Sequence, residues 1–178
     1  MPYITHTELA ERPGARELAQ VAGSLAQPVR DDALMDATLR AADRSAWTVA
    51  EVAAADAALA RIDDAVAEAG AVIDGFLSQR GYTLPLTLPA TSTGKSLLTS
   101  WCRAIARYLL NKSRVTDESK DPVARDYRDA LKMLQLMASG KLSLGADDPA
   151  VSQNTGMTDV RFAGARPVFG RDQLRGFR

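Results

Sequence analysis

The stretch TVAEVAAADAALARIDDAVAEAGAVIDGFLSQRG, residues 48–81, decides the fold. Thr48 is a good helix N-cap, and Glu51 three residues on completes a capping-box pattern, in which each side chain satisfies the other residue's backbone N–H. No proline interrupts the run before Gly81, whose tolerance of positive φ suits a helix stop. Val52, Leu59, Val66 and Ile73 recur every seven residues, with Ile62, Ala69 and Phe76 between them, so one apolar seam is expected along the whole rod. At about 1.5 Å per residue, that rod is roughly 45–50 Å long.

Toward the amino terminus, Thr5 or Thr7 can cap a short helix through Glu8, Leu9 and Ala10, which Pro13-Gly14 interrupts before helix resumes over residues 16–21. A second helix is predicted over residues 30–42, with Leu34, Met35 and Leu39 as its apolar stripe. On the other side of the rod, Pro85 and Pro89 lack N–H donors and push the residues before them into extended geometry, so residues 82–93 read as a protruding extended loop. Helices follow over residues 95–110, where Leu98, Trp101, Cys102, Ile105, Tyr108 and Leu109 share a face, and over residues 122–139, where Val123, Tyr127, Leu131, Leu134 and Ala138 do. The expected fold class is mainly α: a helical bundle around one long helix, with an extended proline-containing loop and an irregular C-terminal arm. Residues 1–139 form the helical domain and residues 140–178 the arm.

After Gly140 the pattern dissolves into Gly, Ser, Asp, Asn and Thr, among which lie Phe162, Val168, Phe169, Leu174 and Phe177 and the arginines Arg161, Arg166, Arg171, Arg175 and Arg178. A segment this long without periodicity buries little by itself. Aromatic and arginine side chains are what interfaces use as anchors, so the arm is expected to dock on another surface.

Composition bounds the rest. The length of 178 residues suits one domain with appendages, and plentiful alanine with few aromatics favours helix over sheet. Lysine plus arginine equal aspartate plus glutamate at 22 each, so no global charge draws the chain to nucleic acid or an anionic membrane. The distribution is polarised: residues 1–80 carry 7 basic and 13 acidic groups, residues 81–139 carry 9 and 5, and residues 140–178 carry 6 and 4. Two ends of opposite sign suit a subunit that meets different partners. Cys102 is the only cysteine, so no internal disulfide forms and a reducing, cytosolic folding compartment is expected. No run approaches the roughly 18 apolar residues of a membrane span, and Met1-Pro2-Tyr3 does not open a secretory signal, so no membrane partner is expected.

Candidate chemistry is sparse. Thr93-Gly94-Lys95-Ser96 resembles the end of a phosphate-binding loop, but position 89, where such a loop has glycine, is Pro89, and no buried strand precedes it. His6 is the sole histidine, which leaves no material for a histidine-ligated metal or a catalytic triad. Cys102 sits on an apolar face beside Trp101 and reads as core. Asp63 and Asp64, adjacent on the rod, diverge by about a third of a turn and read as a solvated face. Arg103 and Arg107, one helical turn apart, and Lys112 with Arg114 could contact phosphate, or could pair with the acidic first half of another subunit. No catalytic residue, cofactor or metal site is therefore assigned. A nucleotide-binding protein using Gly94-Lys95-Ser96 and a small helical DNA-binding regulator stand as alternative classes.

Several segments, in order, resemble a known family: Ile73-Asp74-Gly75-Phe76-Leu77, Gly81-Tyr82-Thr83-Leu84-Pro85-Leu86, Trp101-Cys102-Arg103-Ala104-Ile105-Ala106-Arg107-Tyr108-Leu109-Leu110, Tyr127-Arg128-Asp129-Ala130-Leu131-Lys132-Met133-Leu134 and Ser139-Gly140-Lys141-Leu142-Ser143-Leu144. The opening Tyr3-Ile4-Thr5 and Glu8-Leu9, and the closing Val168-Phe169-Gly170-Arg171-Asp172-Gln173-Leu174-Arg175-Gly176-Phe177, fit the same pattern. The sequence looks like the Mu-like tailed-phage and prophage adaptors. That resemblance implies a head-completion or head-to-tail connector subunit in the virion neck, made in the host bacterial cytoplasm. It implies a ring of the chain with itself, typically of twelve copies, beneath the portal protein and above the next neck or tail-completion protein, and no active site. Under it, Phe162, Val168, Phe169, Arg171, Leu174, Arg175 and Phe177 would dock on the portal or a neighbour. Leu84, Pro85, Leu86 and Pro89 would face the adjacent subunit or the tail, and Arg103, Arg107, Lys112 and Arg114 would face packaged DNA in the lumen or pair between subunits.

Overall fold

The computed structural model describes residues 3–145, apart from residues 90 and 116, and within them the chain is helical, with no strand. α1 (His6–Leu9) is capped by Thr5, whose hydroxyl accepts from the Glu8 N–H while the Glu8 carboxylate accepts from the Thr5 N–H at 2.7 Å. As expected, the helical entry is broken at Pro13-Gly14: over Ala10–Gly14 the backbone kinks, with Arg12 extended and Gly14 at φ 105°, before α2 (Ala15–Ala22) resumes. α3 (Asp32–Leu39) is shorter than the predicted helix at both ends, because Asp31 caps it by accepting from the Ala33 N–H and Ala41 turns left-handed at φ 52°.

α4 (Val49–Arg80) is the predicted rod: Thr48 and Glu51 make the reciprocal cap, and Gly81 stops the helix at φ 94°. Of the expected seam, Ile62, Val66, Ala69 and Ile73 are buried, whereas Val52, Leu59 and Phe76 are only partly covered; Ala55, Ala58 and Leu77, all fully buried, complete the line. A straight helix turns every 3.6 residues, so a seven-residue repeat drifts around it, and the buried line follows the helix. Alanine on that line has no side chain beyond Cβ, which lets neighbouring helices approach closely.

α5 (Thr93–Asn111) starts two residues before the predicted position because Ser92 caps it, accepting from the Lys95 N–H at 3.2 Å. α6 (Pro122–Ala138) is capped by Asp121, with Pro122 in the first turn where a missing donor costs nothing. The Arg80 guanidinium lies against Gly140, which sets the C-terminal ends of α4 and α6 side by side. The Leu144 carbonyl lies on Gly94 at the same pole, so α5 runs antiparallel to both. Tyr108 and Tyr127 stack with ring centroids 4.1 Å apart and join α5 to α6. Toward the other pole α2 and α3 pack on the amino half of α4: Arg61 donates to the Ala22 carbonyl, Arg44 pairs with Asp56, and the Trp47 indole donates to Asp31 at 2.6 Å.

Two segments lie closer to the bundle than the sequence suggested. In residues 82–89, Tyr82 is buried and Leu84, Leu86 and Leu88 are half-buried against the core, while Thr83, Pro85, Thr87 and Pro89 are exposed. This is the two-residue alternation of extended backbone. The segment is thus extended, as its prolines require, but lies along the helices as a strap and does not protrude. Past Gly140, Leu142 is half-buried and Leu144 buried, so the packed body continues beyond the expected domain boundary.

Three substitutions probe this arrangement by chemical or thermal denaturation. Thr48→Ala should cost about 1 kcal/mol through the lost cap. Ile62→Ala, on the buried line of α4, should cost about 2–5 kcal/mol, whereas Leu59→Ala, which a strict seven-residue seam would make equally costly, should cost clearly less. Acid should also weaken the fold. Hydrogen bonds from Trp47 to Asp31 and from Thr48 to Glu51 hold both carboxyls below the usual carboxylate range. Their contribution is complete above the ordinary carboxylate pKa and disappears as pH falls through the lower folded values, so Tm should drop over that acid interval and less so in Trp47→Phe.

Candidate functional site

The basic candidates on and after α5 do not form one free patch. Arg107 reaches Glu17 on α2 through two hydrogen bonds, the Nη2–Oε2 bond at 2.8 Å, and lies 3.9 Å from Asp126 on α6. The bond to Glu17 raises the Arg107 pKa above its ordinary value, against the opposing effect of burial. Arg114 donates to the Gln20 carbonyl at 2.6 Å. Arg103 is half-buried, with its Nε enclosed and without a hydrogen bond, beside a groove of about 320 Å³ between α5 and α6 that Asp126, Asp129 and Met133 also line. Lys112 is exposed. The acidic first half and basic second half therefore meet within one chain, at Glu17 and Arg107, an arrangement the sequence alone could not distinguish from pairing between subunits.

Gly94 has a packing explanation. It is buried, and a Cβ on it would overlap the Leu144 carbonyl. The amides that follow are already occupied: Ser92 takes the Lys95 N–H on its hydroxyl and the Ser96 N–H on its carbonyl at 3.3 Å. What looked like a phosphate-loop glycine is the point where the chain crosses α5 after leaving α6. Cys102 is fully buried, and burial pushes its thiol up to about 12, far from the range of a nucleophile at neutral pH. Among the described residues no group of three or more His, Cys, Asp or Glu side chains converges as a metal site would require. No helix among them is long and apolar enough to cross a membrane.

A further groove among the described residues is lined by none of the strap or basic candidates named from the sequence. Ile4, Val66, Ala67, Gly70 and Ala71 line a shallow, mainly apolar groove of about 520 Å³ between the N-terminal segment and α4. Carboxylates mark its two ends. At one, His6 Nε2 lies 2.6 Å from Asp63; at the other, the Tyr3 hydroxyl donates to Asp74. Burial, and then that bond, raise the Tyr3 phenol pKa above its ordinary value. The Tyr3 carbonyl accepts from Thr99 of α5 at 2.8 Å, so the N-terminal wall is fixed to the bundle from both sides. The signal available in the sequence was charge: residues 62–79 hold Asp63, Asp64, Glu68 and Asp74 and no lysine or arginine.

Of the strap candidates, Leu84 and Leu86 turn to the core while Pro85 and Pro89 face outward. The arm candidates Phe162, Val168, Phe169, Arg171, Leu174, Arg175 and Phe177 lie outside the described residues.

The described residues thus form a helical bundle with open grooves and charged faces. The sequence profile of the family described as Bacteriophage Mu, Gp36 matches residues 3–161. The chain is 34% identical over 151 residues to the "Mu-like prophage FluMu protein gp36" of Haemophilus influenzae, covering 83% of this chain and 95% of that protein. It is 35% identical over 120 residues to "Gene product J" of Escherichia phage Mu, covering 65% of this chain and 77% of that one. These matches mark a helical phage protein. The chain belongs to the Bacteriophage Mu Gp36 family.

Two measurements check the site geometry. A double-mutant cycle on Glu17→Gln and Arg107→Ala should give a coupling of up to about 1 kcal/mol, since the contact is bidentate but both side chains are partly exposed. Cys102 should be inert to an aromatic disulfide reagent in native buffer and react fully once the chain is denatured.

Proposed function

We propose that this chain is an adaptor subunit of the neck of a Mu-like tailed phage, a structural virion protein that completes the head and forms a ring between portal and tail. The observation that carries this reading is membership, over nearly the whole chain, in a Mu-like phage family, by a helical protein whose described residues present surfaces and gather no catalytic constellation. The segment resemblance to adaptor proteins supplies the ring, with twelve copies the typical number, and its neighbours, the portal on one side and the next neck component on the other. In that ring the body spanning residues 3–145 forms the wall, the outward Pro85 and Pro89 of the strap face an adjoining protein, and the arm beyond residue 145 grips a surface it does not itself supply.

The competing classes lose support from particular atoms. A nucleotide site at Gly94-Lys95-Ser96 meets the Leu144 carbonyl, and a DNA-binding face built on Arg103, Arg107, Lys112 and Arg114 has two of its four cations engaged within the chain. Where the ring's lumen runs beside packaged DNA, the exposed Lys112 and the half-buried Arg103 are the members of that group left to face it.

Imaging of an intact virion is the direct test: density for this helical bundle should stand beneath the portal, and a neck without it overturns the reading. A phage lacking residues 146–178 should still make a chain with native helical content and melting behaviour but yield filled heads without tails. Infectious particles at normal titre from that deletion would argue against a gripping arm.

A further inference from the structure

We infer that the acidic groove between the N-terminal segment and α4 is the seat of the C-terminal segment, residues 161–178, of a neighbouring copy of this chain. The inference rests on the neck-ring reading and deepens it by naming which surface the arm grips. Its starting point is charge. Residues 161–178 contain Arg161, Arg166, Arg171, Arg175 and Arg178 against the single acid Asp172, a net of four positive charges. Residues 62–79 of α4 carry four carboxylates and no basic residue, the matching net of opposite sign. Some exposed acids elsewhere are held by arginines, as Arg40 holds Asp36 and Arg44 holds Asp56, while Glu11 and Asp129 stand alone among the described residues. On α4, Asp64 and Glu68 are exposed and have neither an ion pair nor a hydrogen bond among the described residues; they do not line the groove but lie one helical turn from its lining residues Ala67 and Ala71.

Shape agrees with charge. The groove floor is made of Val66, Ala67, Gly70 and Ala71, so nothing projects from it that would hold an aromatic ring away. A segment that alternates Phe162, Phe169 and Phe177 with arginines offers rings for that floor and guanidinium groups for Asp64 and Glu68 beside it, Asp63 and Asp74 at its ends being already bonded to His6 and Tyr3. Distance allows the neighbour. The described chain leaves the bundle at Gly145, beside the start of α5, and the fifteen residues before Arg161 span at most about 50 Å when extended. A contact in which each copy's arm enters the next copy's groove is heterologous, the type that closes into a ring when its rotation allows.

The test uses full-length chains with the buried Cys102 left in place. One preparation carries Ala67→Cys in the groove and a second carries Leu174→Cys in the arm. On mixing under mild oxidation, and in assembled particles containing both chains, a disulfide joining two different chains should form. Asp64→Lys with Glu68→Lys in the first chain, both exposed positions, should abolish the product while leaving the circular dichroism spectrum unchanged. Arg171→Glu with Arg175→Glu in the second should restore it. No intermolecular disulfide in solution or in particles overturns the inference. So does a chain carrying both cysteines that closes only on itself, because the groove then receives its own arm. Particles that show the chain in the neck but lack the cross-link defeat this inference alone, and a cross-link from a chain absent from the neck defeats the functional reading alone.

Discussion

The fold depends on the close approach that alanine permits along α4. Ala55, Ala58 and Ala69 are fully buried on a helix of 32 residues, and with Ile62, Ile73 and Leu77 they make the line against which the other helices pack. Where one methyl separates two backbones, helices gain many weak contacts over a long interface without large side chains. The same economy makes the line sensitive to register, because a larger residue at an alanine position forces the helices apart. Capping fixes that register: Thr48 with Glu51 at one end and Gly81 at the other define where the rod begins and stops, and hence which residues face inward.

Around this rod the chain distributes its polar chemistry in ties rather than in a reactive centre. Glu17 with Arg107 links α2 to α5, Arg61 with the Ala22 carbonyl links α4 to α2, and Tyr3 is held by both Asp74 and Thr99. Each joins elements far apart in sequence. Such ties fix the orientation of the N-terminal helices on the rod more than they add to its stability, since partly exposed ion pairs contribute little net free energy.

Much of this was legible in the sequence because local rules and tertiary packing agree. The capping pair at Thr48 and Glu51, the stop at Gly81 and the extended geometry imposed by Pro85 and Pro89 all depend on neighbours within a few residues. What failed to be legible depends on contacts distant in sequence. The seven-residue pattern placed Val52 and Leu59 at the centre of the seam, although the surrounding helices select the alanine line instead. Nothing local announced that Leu84, Leu86 and Leu88 would lie down on the bundle, or that Leu144 would return to cover Gly94. The basic candidates were read as a set because they lie close together in sequence, yet the partners that separate Arg107 and Arg114 from Lys112 come from α2, some ninety residues away. The groove's carboxylates were visible as letters, but the wall opposite them is the N-terminal segment, which only the fold brings there.

The two poles of the bundle are held unequally. At one, α4, α5 and α6 meet, and Gly94 and Gly140 allow a backbone and a guanidinium to close in on the helix ends. At the other, Val49 opens α4 almost wholly in solvent, and Leu25 in the connection before α3 is fully exposed. Amide hydrogens in the first turns of α4 should therefore exchange sooner than those near Ile73 and Leu77, with opening that begins at the amino end and travels inward. A bundle built this way has one stiff end and one yielding end, so a shape change at the yielding end need not disturb the other.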